Sequence, residues 1–117
     1  LIVLGDCNAP PSYATVKSNV PMDAESQDFT EDRTEEILTS TTGLRNVFHG
    51  ERYARNENAA LTFPSDEPVV TLDYVLHSRH FAVEDASVIR TKPAGSDHLP
   101  VAARLRLLSS AQSSSSR

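Results

Sequence analysis

Three short segments of this 117-residue chain carry side chains that could do chemistry together: Gly5-Asp6-Cys7-Asn8, Leu72-Asp73-Tyr74-Val75 and Gly95-Ser96-Asp97-His98-Leu99-Pro100. Asp6 and Asn8 follow the all-apolar run Leu1-Ile2-Val3-Leu4, one residue apart, so both side chains can lean over the C-terminal edge of a strand. A carboxylate there binds a hard cation or takes a proton from water, and the amide holds that carboxylate or a phosphoryl oxygen. The same tetrapeptide also reads as a plain turn made of turn-favouring residues. Asp73 lies in Val69 to Leu76, which is apolar on both faces apart from Asp73 and Thr71. A carboxylate in so well covered a strand needs a hydrogen-bonding partner, because an unpaired buried charge is costly. A structural arginine would serve as well as a functional group. His98, in a polar turn leading into the last strand, is a candidate partner. An imidazole held by a buried aspartate has a fixed tautomer and a stabilised protonated form, which binds oxyanions. Taken alone, His98 reads as an ordinary surface histidine.

The other reactive types have plainer readings. His77 and His80 flank Ser78-Arg79 in an expected hairpin turn and offer too few ligands for zinc. His49 shares a polar loop with Arg45, Arg52 and Arg55 and reads as a solvated face. Cys7 has no basic neighbour in sequence to lower its pKa, so apolar packing is its expected role. A single cysteine also excludes an internal disulfide framework.

Elements must position these residues. The length suits one domain over residues 1–108, with a low-complexity serine-rich tail over 109–117 that has nothing to bury. The polar stretch from Ala9 to Gln27 is far longer than an ordinary loop. A short helix follows, with Asp28 as the expected cap, Gly43 as the stop, Ile37 and Leu38 as its buried stripe and Leu44 closing behind. Strands are expected at Leu1 to Leu4, with neighbours on both sides, at Leu61 to Phe63 and at Val69 to Leu76. Two more flank a turn or bulge at Glu84-Asp85, and the last runs from Val101 to Leu107 with clean alternation. The fold class is α+β, one mostly antiparallel sheet with one short helix. The formal charge of −5 argues against non-specific nucleic-acid binding. No apolar run spans a bilayer. There is no targeting pattern, which leaves the compartment open and favours the cytoplasm. A chain opening without methionine in a four-residue apolar strand reads as a fragment.

The three motifs, in this order and each at a strand edge, resemble the second half of the endonuclease/exonuclease/phosphatase family, the deoxyribonuclease-I-like superfamily. Thr62-Phe63-Pro64 is similar to the threonine-phenylalanine segment that lines that family's site, and the resemblance runs from Leu1 to about Leu108. It implies half of a four-layer α/β/β/α sandwich. It implies that Asp6 positions or deprotonates the attacking water, that Asn8 holds the scissile phosphate, and that Asp73 orients and charge-stabilises His98. His98 would contact the phosphoryl oxygens, Phe63 would line the substrate site, and Asp97, with Asp6, would bind Mg²⁺ or Mn²⁺. The implied substrate is a phosphoester in a small molecule, lipid headgroup or nucleic acid. The lack of a basic cluster or aromatic ladder in the Ala9 to Gln27 loop tilts this toward a small or lipid-like one. Family members carry further site residues, including a metal-binding glutamate, in an N-terminal half that is missing here and would be the natural partner. The expectation is therefore a metal-dependent phosphoester hydrolase, incomplete and inactive as this piece alone. The alternative is a non-catalytic truncated remnant or binding module of the same fold.

Overall fold

The computed structural model describes residues 1–9, 33–49, 57–90 and 95–110. Their elements are β1 (Ile2–Asp6), α1 (Thr34–Thr42), β2 (Arg45–Asn46), a 3₁₀ turn (Glu57–Ala60), β3 (Asp73–His77), β4 (Phe81–Val88) and β5 (Val101–Leu107). All strand pairing is antiparallel, in two sheets: β1-β3-β2 and β4-β5.

The strands expected in one sheet thus divide between two, within the expected α+β class. The reason lies at residues 78–80, where the chain leaves β3 and starts β4 in the other sheet instead of folding back beside β3. Alternation along β3 then serves two cores. Val75 points to one side, where Val47, Phe48 and Ala60 meet Val83, Ala86, Val88, Val101, Ala103 and Leu105 of the β4-β5 ribbon. Tyr74 and Leu76 point to the other, where they join Leu44, Cys7 and Leu38 of α1. The central run of β3, Tyr74-Val75-Leu76, is apolar because it is covered on both faces.

α1 ends as expected. Gly43 adopts the left-handed conformation at φ 72° and donates its N–H to the Thr39 carbonyl at 2.9 Å. At the other end Arg33 is the flanking residue and supplies no side-chain cap. Asp28, the expected cap, lies outside the described residues, as does the Ala9 to Gln27 stretch beyond Ala9 and the tail beyond Ser110. Of the expected stripe, Leu38 packs against the core, but Ile37 is 56% exposed and Glu35 turns inward in its place. The chain runs through Glu84-Asp85 as a bulge between Val83 and Asp85, so β4 is one strand. β5 has the expected bounds, with Leu107 exposed at its end. β1 departs from expectation. Among the described residues β3 is its only neighbour, and all five of its residues are exposed. No described helix is long and apolar enough to cross a membrane.

Candidate active site

Asp6 is the last residue of β1 and Asp73 the first of β3, and the register pairs them. Gly5 reaches this edge at φ 152°, a mirror-β conformation open to glycine. Beyond Asp6 the chain curls back. The Cys7 N–H donates to the Leu72 carbonyl at 3.0 Å, and the Asn8 N–H donates to Asp6 Oδ1 at 2.7 Å. Asn8 takes the left-handed conformation at φ 48°, which asparagine tolerates. The Tyr74 hydroxyl donates to the Ala9 carbonyl and ties down the far end of the curl.

His98 arrives from the turn before β5. Its Nδ1 lies 2.8 Å from Asp73 Oδ2, and its Nε2 lies 3.8 Å from Asp6 Oδ2. The imidazole therefore bridges two carboxylates. Partial burial alone would lower its pKa, but the hydrogen bond to Asp73 and the charges of Asp73, Asp6 and Asp97 outweigh it, and the pKa is raised. The Phe63 ring tilts against the imidazole with centroids 4.9 Å apart. The Phe63–Pro64 bond is cis, and the Ser65 N–H donates to the Asp97 carbonyl at 2.7 Å.

The structure thus brings Asp6, Asp73, His98 and Phe63 together. Asn8 stands exposed beside Asp6, and Asp97 is exposed on the turn before His98, with one carboxylate oxygen 3.4 Å from the Ser96 hydroxyl. Asp6, Asp73 and His98 form a group whose possible ligand atoms lie within 4.8 Å of one another; Asp97 is not part of it. Asp73 Oδ2 is taken by the imidazole and Asp6 Oδ1 by the Asn8 N–H, while the carboxylates of Asp6 and Asp97 are both exposed.

Cys7 keeps its plain reading: burial, then the negative charges of Asp6, Asp73 and Glu35, raise its pKa and hold it as a thiol. His77 is buried, with Nδ1 2.9 Å from the Ser78 carbonyl, and His80 meets the Ser78 hydroxyl. His49 and Arg45 line a separate cavity of about 450 Å³ beside α1, with Glu35 and Asn46. Thr62, expected only as part of a site-lining segment, and Tyr74, with no role expected from the sequence, hold the site's backbone through their hydroxyls.

The model of the endonuclease/exonuclease/phosphatase family matches residues 1–98, from the first strand to the imidazole itself. The chain belongs to that family, whose fold is of the phosphoester-hydrolase type. Neither the curated proteins nor the solved structures gave a match.

Proposed function

We propose that this edge is the water-activating and phosphate-holding part of a divalent-cation-dependent phosphoester hydrolase. The observation that carries the reading is the line Asp73–His98–Asp6, with one imidazole nitrogen at 2.8 Å from the first carboxylate and the other at 3.8 Å from the second. Asp73 holds the ring and favours its protonated state, so Nε2–H is available to a phosphoryl oxygen. Asp6, half open to solvent, positions the attacking water and takes its proton. Asn8 holds the scissile phosphate, and Phe63 is the wall beside the reacting group. Asp6 and Asp97 would hold the cation, which would supply charge neutralisation at the phosphoryl group. Water attacks phosphorus in line with the departing oxygen. The substrate is a phosphoester, and the acidic balance of the chain favours a small or lipid-like one over nucleic acid.

Titration with Mn²⁺ followed by NMR tests this reading without requiring turnover. Paramagnetic broadening should centre on the amides of Asp6, Asn8 and Asp97 and disappear on chelation. It should weaken strongly in both Asp6→Asn and Asp97→Asn. Broadening absent at millimolar Mn²⁺, or unchanged in both variants, would overturn the cation site and with it the proposed chemistry.

A further inference from the structure

Each of the three bridging residues sits beside a backbone group in one hydrogen-bond chain. The residue after Asp6, Cys7, donates its N–H to the Leu72 carbonyl at 3.0 Å. The N–H of Leu72, the residue before Asp73, donates to Thr62 Oγ1 at 3.0 Å. The Thr62 carbonyl accepts the N–H of Leu99, the residue after His98, at 2.7 Å. The segments of Asp73 and His98 therefore both bond to Thr62, the Asp6 segment joins them through Leu72, and the hydroxyl oxygen is the one side-chain atom in the chain of contacts. Thr62 is completely buried, so water does not compete for these bonds. Its own N–H is held by the Val70 carbonyl at 2.9 Å, and Phe63, which follows it, carries the ring that tilts against His98.

We infer that Thr62 is a positioning residue that sets the Asp73–His98 geometry, its hydroxyl fixing the Asp73 side and its carbonyl the His98 side. The catalytic meaning of that role rests on the hydrolase reading above, but the role itself does not. A hydrogen bond to a carboxylate is steep in distance and angle, so a small shift of one backbone against the other weakens it. Free imidazole has no strong reason to keep its proton on Nδ1, and here the Asp73 carboxylate supplies one. The tautomer of neutral His98 is therefore a gauge of how well Thr62 holds the two strands in place.

The test is two-bond ¹H–¹⁵N NMR of the imidazole, in chelator and above its titration range, on the full chain. Wild type should show the Nδ1–H tautomer. Thr62→Ser keeps the oxygen and should keep that tautomer. Thr62→Val keeps the shape without the acceptor and should shift His98 toward Nε2–H. Thr71→Val is the control for general loss of stability, since Thr71 is equally buried and its hydroxyl donates instead to the Ala60 carbonyl at 2.6 Å. It should leave the tautomer unchanged. A folded Thr62→Val with the wild-type tautomer would overturn the inference, as would the same shift in Thr71→Val. If Thr62→Val does not fold, amide exchange in wild type decides. The Leu72 and Leu99 amides should exchange together, and a Leu99 amide that exchanges freely while Leu72 stays protected would overturn the brace. Failure of the Mn²⁺ titration would leave these outcomes unaffected, so the two readings fail separately.

Discussion

Asp6 and Asp73 face one another across β1 and β3 as register partners, and the His98 imidazole spans the gap between their carboxylates. Like charges opposite one another in a sheet repel, so this edge favours a cation between them. His98, whose pKa is raised, supplies one when it is protonated.

The first prediction follows for Asp6→Asn. It removes one of the opposed charges without disturbing a packed group, so the melting temperature should stay within a few degrees of wild type. Millimolar Mn²⁺ should raise the wild-type melting temperature through mass action and leave the variant's unchanged. Wherever Mg²⁺-dependent phosphodiester turnover is measured for this site, the substitution should lower it by roughly 10²- to 10⁴-fold, the usual worth of a positioned acid–base group. Turnover within a few-fold of wild type would remove Asp6 from the chemistry.

Asp73 and His98 should behave as one unit. Asp73→Ala leaves the imidazole without its partner, and His98→Ala leaves a carboxylate at the strand edge without one. Each single change should therefore cost more than half of what the double change costs. The coupling measured by urea unfolding should fall in the range of about 0.5 to 3 kcal/mol expected for residues in direct contact. Additive costs would show that the 2.8 Å contact has no energetic weight.

The pH dependence has a definite sign. His98 is raised above its ordinary value of 6.5, so the folded state binds the extra proton. Its stabilising contribution is complete below the unfolded pKa and is lost as pH rises through the folded one. In chelator, the urea midpoint should fall from about pH 6 upward in wild type. It should fall less in His98→Asn. Equal slopes would mean that His98 titrates as it does in the unfolded chain.

Glu35 carries the same sign at lower pH. Burial raises its carboxyl above 4.5, the Asn46 amide draws it partly back, and the charge of Glu36 adds to the rise. The Asn46 amide nitrogen is itself buried without a full hydrogen bond among the described residues. Stability linked to Glu35 is present below its unfolded pKa and lost as pH rises through the folded one. Glu35→Gln should flatten that fall and raise the urea midpoint at pH 7. A lower midpoint at pH 7 would show that the carboxylate is held in a way that favours its charge.

Local chemistry made some of this structure readable from residue types. Gly43 had to end a helix, the alternation of Val101 to Leu105 had to mark a half-buried strand, and a lone aspartate in Val69 to Leu76 had to find a partner. His98 proved to be that partner, 25 residues away. What stayed hidden depends on long-range geometry. Nothing in the turn at 78–80 announces that the chain changes sheets there. Ile37 and Glu35 are two positions apart on one helix, and the neighbouring sheet decides which of them turns inward. The role of Thr62 needed three separate segments to be placed side by side.

β1 supports the last prediction. Leu1 and Leu4 are 72% and 71% exposed, and Ile2 and Val3 about two-fifths exposed. Among the described residues β1 pairs with β3 alone, so its other edge presents unpaired backbone groups alongside four apolar side chains. Such an edge is a template for another strand, and protein sheets ordinarily blunt it with lysine, proline or a bulge. None of these interrupts Leu1 to Leu4. Association through this edge removes apolar surface from water and satisfies the backbone together, and mass action raises the associated fraction with concentration. The purified chain should therefore run above its 12.8 kDa monomer mass in size-exclusion chromatography with light scattering, increasingly so on loading at tens of micromolar. Leu4→Lys places a charge at a position already exposed, so it should return the chain to the monomer mass without lowering the melting temperature by more than a few degrees. The same variant leaves Asp6, Asp73 and His98 in place, and the His98 tautomer should be unchanged in it. A wild-type chain that stays a 12.8 kDa monomer at every loading would show that this edge is covered. A Leu4→Lys variant that still associates would place the contact elsewhere.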